Sequence, residues 1–399
     1  MSLELTPKGW RRSKLGECCD IVAGGTPSRE REEFWGGSIP WVTPKDISAI
    51  DEPVFTDPPE HISDLGLRNS SASILPKGTV LLSSRAPIGL VAIAGRPMAT
   101  NQGFKSLVPG PNLESRFLYY AIKRMVPVIQ ARGNGATFKE VSKAVMEEIE
   151  ISYPATVSEQ ERIAAILDKA DAIRRKRRQA LAEIDALLRA TFLDMFGDAR
   201  SNPKNWQILP LERLTQSDRP ITYGIVQAGP HVDGGIPYIK TSDFTENEIR
   251  TEGLARTSVE IANKYLRSAV RAGDLVFCIR ASVGAVGRVP TILDGANLTQ
   301  GTALIAPGSG VDPNYLLFAL RSEGIQSWIA SREKGATFKE ITLKTLRKTP
   351  VPLPPPKLQA QFGRRVRSML SVKQRLSSAA AESHDCFSSL SQRAFRGEL

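Results

Sequence analysis

The hexapeptide Gly-Ala-Thr-Phe-Lys-Glu occurs twice in this chain of 399 residues, at Gly135 to Glu140 and again at Gly335 to Glu340. Whatever fold surrounds the first copy must therefore also surround the second. The correspondence extends outward from both copies. "IPWVTPKDI" from Ile39 pairs with "IPYIKTSDF" from Ile236, and "SSRAPIG" from Ser83 pairs with "CIRASVG" from Cys278. "TNQGFKSLVPG" from Thr100 pairs with "LTQGTALIAPG" from Leu298, and "FLYYAIK" from Phe117 with "YLLFALR" from Tyr315. The order is kept, so one architectural unit is written twice. After each hexapeptide comes a strand-like stretch, "IEISYP" or "TPVPLP", and then a long charged segment.

The repeat predicts four regions: globular domains over 1–155 and 199–355, and helical regions over 156–198 and 356–399. Short apolar runs such as "TVLLSS" and "GLVAIA", punctuated by Gly and Pro, read as strands joined by turns. A single helix interrupts them at about Glu114 to Arg132, with Phe117, Leu118, Ala121, Ile122 and Met125 on one face. Each globule is thus of mixed α+β class.

The helical regions have a coiled-coil period. In the first, Ile163, Ile166, Ala170, Ile173, Ala180, Ile184 and Leu187 follow steps of three and four, broken by Arg177. In the second, Phe362, Val366, Met369, Leu376, Ala380, Ser383, Phe387, Leu390 and Ala394 keep the rhythm, broken by Lys373. Ser158 with Glu161 forms a capping-box pattern, and Pro154 and Pro354 to Pro356 stop the preceding strands. A narrow apolar seam needs a cover. Either the two helices cover each other, antiparallel about a pseudo-twofold axis, or each packs on its own globule. In the first case helices of about 60 Å hold the globules one or two turns of duplex DNA apart, at about 34 Å per turn.

The formal charge of +11 favours a polyanionic partner, which nucleic acid, an anionic membrane or an acidic protein could each supply. No apolar run approaches the roughly 20 residues of a membrane span and the N-terminus lacks a secretory signal, so a cytoplasmic location is expected. Cys18, Cys19, Cys278 and Cys386 form no C-x-x-C pair and read as reduced thiols, Cys278 as a core residue of the strand "DLVFCIR".

No catalytic constellation emerges. "TDPPEH" from Thr56 resembles an acidic-Pro-Pro methyltransferase element, but Glu60 stands where an aromatic would stack on a flipped base, so it reads as a turn. "GNGATF" lacks the third glycine of a cofactor loop, and no Gly-Lys dipeptide marks a P-loop. His61, His231 and His384 have no cysteine at ligand spacing, so no metal site is expected.

A basic, duplicated chain without a recognisable catalyst resembles the specificity subunit of type I restriction-modification enzymes. The likeness covers nearly the whole chain and is most specific in "GATFKEVSKAVMEEIEISYP" leading into "SEQERIAAILDKADAI", in the "NQG" and "TQG" elements, and in the terminal "RAFRGEL". The distal helix departs from the family pattern, with "KLQAQFGRRV" at its start and a thin seam from Ala379 to Ser383. The resemblance implies two target recognition domains and two spacer helices. It implies a subunit that binds double-stranded DNA and catalyses nothing, and that recruits two modification subunits carrying S-adenosylmethionine and, with them, motor-nuclease subunits. Each domain would read one part of a split target. Because the globules differ between Asn205 and Leu275 relative to Trp10 and Val80, that target is expected to be non-palindromic.

Base reading uses Arg or Lys forks on guanine and Asn or Gln on adenine, with other basic side chains on phosphates. In the first globule these residue types nominate Lys45, Arg85, Asn101, Gln102, Lys105 and Lys139. In the second they nominate Lys240, Arg280, Gln300 and Lys339. Each has a structural alternative: Asn101 and Gln102 can cap a turn, Arg85 can pair with a carboxylate, and Phe138 and Phe338 can pack in a loop or stack on bases. The run Arg174, Arg175, Lys176, Arg177, Arg178 either neutralises phosphates of the unread spacer or meets acidic surface on the modification subunits. Two other classes stay open: a self-contained nucleic-acid-modifying enzyme, and a tandem protein-binding scaffold.

Overall fold

A computed structural model describes residues 6–135, 139–245, 248–335 and 339–399. The chain divides into two compact units, Met1–Gln179 with Ser377–Leu399, and Ala180–Leu376. The division falls inside two 40-residue helices, Val157–Phe196 and Pro356–Phe395, so each unit holds one globule and part of both helices.

In the first unit a five-stranded sheet runs in the order Cys19–Ala23, Lys105–Pro109, Val80–Ser84, Ile88–Ala94, Val54–Phe55. Its centre, Val80–Ser84, is buried at every position, as expected of a strand covered on both faces. A three-stranded sheet places Trp35–Val42 between His61–Ile62 and Ala99–Thr100, the latter pair parallel. Trp10–Lys14 pairs antiparallel with Glu150–Pro154, which leads into the long helix.

The second unit repeats this plan. Thr222–Tyr223, Thr302–Ile305, Leu275–Cys278 and Val286–Arg288 form its main sheet, and Ile236–Ile239 lies between Arg256–Thr257 and Asn297–Leu298. Gln207–Pro210 with Pro350–Leu353 closes it. The parallel pairs Val42 with Thr100 and Ile239 with Leu298 are equivalent, and each leads into its "NQG" or "TQG" turn. A glycine is obligatory beside both turns: a Cβ on Gly24 would lie 2.0 Å from the Asn101 carbonyl oxygen, and one on Gly224 1.9 Å from that of Leu298.

The expected single helix is present as Ser115–Ala131, its N-terminus capped by Glu114. Further short helices accompany it, among them Pro44–Ser48, Asp64–Arg68 and Lys143–Glu147, too brief to leave a periodic signal. In the second unit the equivalent helix is split into Pro313–Arg321 and Glu323–Ala330 by Ser322, whose backbone is extended. The Asp198 carboxylate accepts from the Gly324 N–H at 3.1 Å and so caps the second piece.

Within each unit the long helices run antiparallel. In the first, Arg162 donates to the Leu399 carbonyl, Arg174 lies 4.8 Å over the Phe387 ring and Arg177 donates to the Ala379 carbonyl. In the second, Lys373 reaches Asp185 at 2.9 Å and Phe362 packs on Phe192 and Phe196. The two positions that break the seams, Arg177 and Lys373, are thus bonded to the facing helix. The seam predicted for Pro356–Phe395 is the packed face: Phe362, Val366, Ser383 and Ala394 are buried and Met369, Phe387 and Leu390 pack against the cores.

The seam predicted for Val157–Phe196 requires correction. Ile173 and Leu187 are 51% and 52% exposed, and the buried face carries Gln160, Ile163, Ala164, Leu167 and Asp171, then Leu188, Phe192, Met195 and Phe196. Two of its members are polar, and an apolar count steps past them onto the neighbouring face. The predicted capping box also shifts: the helix begins at Val157, so Ser158 already lies in its first turn.

Gln160 and Gln359 are completely buried equivalents. Gln160 Nε2 donates to the carbonyls of Asn112 and Pro154, both at 2.9 Å, and its Oε1 accepts from the Glu114 N–H at 2.8 Å. Gln359 donates to the Pro354 carbonyl at 2.7 Å and accepts from the Asp312 N–H at 3.0 Å. All four cysteines are free, and burial pushes the Cys278 thiol up to about 12. No helix among the described residues is long and apolar enough to cross a membrane.

Phe362 centres a ring cluster at 5.6 Å from Phe192 and 5.3 Å from both Phe196 and Phe318. Phe362→Ala is expected to cost about 3–5 kcal/mol. Hydrogen exchange by mass spectrometry should show faster exchange in residues 180–376 and little change in 6–135.

Candidate nucleic-acid interface

The last residue of the repeated hexapeptide is tied down in the same way in each unit. Glu140 exchanges two backbone hydrogen bonds with Asn134, at 2.9 and 3.0 Å, and Glu340 does so with Lys334 at the same distances. Val141 N–H then donates to the Ser84 carbonyl at 3.0 Å, and Ile341 N–H to that of Ile279 at 2.9 Å. Ser84 and Ile279 in turn donate to the carbonyls of Gly103 and Gly301, within "NQG" and "TQG". Hexapeptide loop, strand end and polar turn are one hydrogen-bonded assembly, built twice. Ala136 to Phe138 and Ala336 to Phe338 lie outside the described residues, and with them the two phenylalanines considered for stacking.

This assembly gathers most of the nominated residues. Arg85 and Arg280 stand at the strand ends, each followed by an alanine in the left-handed region, Ala86 at φ 43° and Ala281 at φ 58°. Lys139 and Lys339 are exposed in the loops, and Gln102 and Gln300 are exposed on the turns. The helix bearing exposed Lys45 abuts the first turn, since a Cβ on Gly103 would lie 3.1 Å from Pro44. Half-buried Lys240 precedes the equivalent Thr241, which a Cβ on Gly301 would meet at 3.0 Å.

Several of these groups have internal partners. Asn101 Oδ1 accepts from the Gly103 N–H at 2.9 Å and thereby shapes the turn, while Gln102 accepts from the Thr26 hydroxyl. Lys105 is only 8% exposed, with Nζ 3.2 Å from Glu140 Oε1. Arg85 faces the same carboxylate at 3.9 Å. Arg280 Nε bonds Glu340 at 3.0 Å, and Lys339 pairs with Glu333 at 2.9 Å.

The basic run is largely neutralised inside its own unit. Arg174 and Arg175 pair with buried Asp171 at 2.5 and 3.3 Å, Arg175 also with Glu52 at 3.2 Å, and Arg178 with Asp51. Lys176 points to solvent. The run braces the long helix to the loop at Asp51 and Glu52, a role that a block of like charge does not advertise.

Sequence reasoning also missed Glu140, Glu340 and a second cluster in the first unit. There Arg29 stacks 3.8 Å from the Trp35 ring centroid and bonds Glu60 through Nη2 at 2.9 Å. That bond holds the Glu60 carboxyl below its ordinary range. "TDPPEH" is the connection between the strands Val54–Phe55 and His61–Ile62, and its glutamate pairs with Arg29. Two tryptophans six positions apart, Trp35 and Trp41, downstream of Arg29 were the available signal. Among the described residues no group of His, Cys, Asp and Glu is arranged to hold a metal ion.

The chain matches the model of the type I restriction modification DNA specificity domain over residues 7–185 and 225–373. The type I restriction enzyme MjaIX specificity subunit of Methanocaldococcus jannaschii is 37% identical over 205 residues, 51% of this chain and 44% of that protein. The EcoBI specificity subunit of Escherichia coli is 27% identical over 315 residues, 71% of this chain and 65% of its own length. The matched region thus spans less than two thirds of either relative. The solved S subunit of a type I restriction-modification system from M. genitalium shares the fold, with a TM-score of 0.59 at 17% identity, covering 98% of this chain and 99% of the other.

Asn101→Ala should cost about 1 kcal/mol of stability through the lost turn bond. Gln102→Ala, on an exposed side chain, should stay within about 0.5 kcal/mol. Urea denaturation of the two variants distinguishes the turn-former from the exposed group.

Proposed function

The chain belongs to the type I restriction-modification DNA specificity family, and from that membership we propose that it is the non-catalytic, target-reading subunit of a type I complex. Each globule reads one part of a bipartite, non-palindromic target in double-stranded DNA. The carrying observation is the assembly built twice from matched backbone and matched polar side chains: an arginine at a strand end beside an exposed glutamine and a loop lysine. Constant backbone holds the reading groups, and differing exposed neighbours such as Lys45 and the corresponding Ser242 let the two globules read different bases.

The long helices set the unread spacer, and they and the repeated scaffold recruit two modification subunits and, with them, motor-nuclease subunits. S-adenosylmethionine belongs to the modification subunits, and this chain holds no cofactor of its own. The complex works in the cytoplasm. A methylation assay tests the division of labour: the isolated chain with S-adenosylmethionine should show no transfer until modification subunits are added. Transfer by the chain alone would establish the self-contained enzyme instead.

Charge reversal of Arg85 or Arg280 should weaken target binding by the assembled methyltransferase by at least the roughly 1–3 kcal/mol of one base contact. Assembly, followed by size-exclusion chromatography, should be intact. Inserting one helical turn, about 5.4 Å, into the middle of both long helices should lengthen the preferred spacer by about one or two base pairs at roughly 3.4 Å each. Methylation mapping reads the spacer directly.

A further inference from the structure

The two arginines at the strand ends are held unequally, and a single buried lysine distinguishes the first site from the second. Arg280 Nε donates to Glu340 Oε2 at 3.0 Å, with both side chains about half exposed, at 48% and 47%. Arg85 Nη1 stands 3.9 Å from Glu140 Oε2, beyond hydrogen-bond reach, at 39% and 41% exposure. The other oxygen of Glu140 faces Lys105 Nζ at 3.2 Å, and that ammonium also lies 3.5 Å from the Ser84 hydroxyl. The second unit has Ala303 in place of Lys105, so Glu340 has no such competitor.

We infer that Glu140 and Glu340 are positioning residues that control how readily Arg85 and Arg280 engage DNA, and that Lys105 loosens the grip in the first unit alone. The inference rests on the DNA-reading function proposed above. Lys105 is too deeply buried to meet a phosphate itself, so its influence passes through Glu140.

The physical basis is competition between anions. DNA must displace the glutamate before it can take the arginine. A random duplex offers phosphates, which replace one anion with another. A correctly placed guanine adds a two-point base contact to the phosphates that any duplex supplies. Displacing the carboxylate costs the same in either case, and a random duplex, which only exchanges one anion for another, repays it least. The loop itself does not depend on that carboxylate: both glutamates are fixed by backbone bonds to Asn134 or Lys334, which a glutamine would retain.

The test uses the complex assembled with modification subunits and a short random-sequence duplex titrated across a salt series. Glu340→Gln should raise random-duplex affinity about 3- to 10-fold and steepen the log–log salt slope by about one, the signature of one added phosphate contact. Adding Arg280→Ala should abolish the gain. Glu252→Gln, which removes an equal charge from an exposed position of the same unit, should give no gain that Arg280→Ala abolishes. Lys105→Met should weaken random-duplex binding by letting Arg85 settle on Glu140, and should have no effect in a Glu140→Gln background.

An unchanged slope in Glu340→Gln, or a gain that survives Arg280→Ala, overturns the role of the glutamates. A parallel fall in random-duplex affinity and melting temperature identifies a purely structural clamp and overturns it too. Equal effects of Lys105→Met with and without Glu140 remove the lysine from the scheme. A wild-type complex without salt-dependent DNA binding would instead overturn the reading function itself.

Discussion

A completely buried glutamine at the foot of each long helix joins the helical and globular parts of each unit. Gln160 and Gln359 each donate to the proline carbonyl where the closing strand ends, and each accepts from the backbone N–H at the start of the neighbouring helix. A buried amide left without partners costs about 1–3 kcal/mol, so a small rotation or slip of the helix foot is penalised. That fixes the direction in which each helix leaves its globule. The apolar packing further along, Ile163 and Leu167 in one unit and Phe362 and Val366 in the other, follows from that start.

The sequence made some of this legible. The repeat is visible because tight backbone approaches tolerate few residues: Gly24 and Gly224 touch carbonyl oxygens, and the turns that follow the parallel strand pairs admit little change. The helix Ser115–Ala131 and the seam of Pro356–Phe395 were readable because their packed faces are mostly apolar. The first long helix misled because two of its buried positions, Gln160 and Asp171, are polar: Gln160 is satisfied by Asn112 and Glu114, distant in sequence, and Asp171 by the arginines one turn further along. The split at Ser322 was hidden for a related reason, since it is completed by Asp198.

The candidate interface was half legible. Residue types alone nominated Arg85, Arg280 and the two polar turns, and the fold brings them together. What they could not convey is which carboxylate each cation meets. Glu140 lies 55 positions from Arg85, Glu340 lies 60 from Arg280, and Asp51 meets Arg178 from 127 positions away. Charge in sequence order therefore overstates the cation available at the surface. The run at Arg174 to Arg178 is the clearest instance, since most of its charge is spent on the carboxylates of its own unit.

Alanine rarely adopts a left-handed backbone, which costs it on the order of 1–2 kcal/mol, yet Ala86 and Ala281 both do so directly after the paired arginines. A conformation this unfavourable persists only where its surroundings over-determine it. The pivot beneath each guanidinium is therefore stiff, and what can drift over generations is the chemistry presented around a fixed aiming point. Diversity in such a lobe is easier to reach by repainting than by re-hinging.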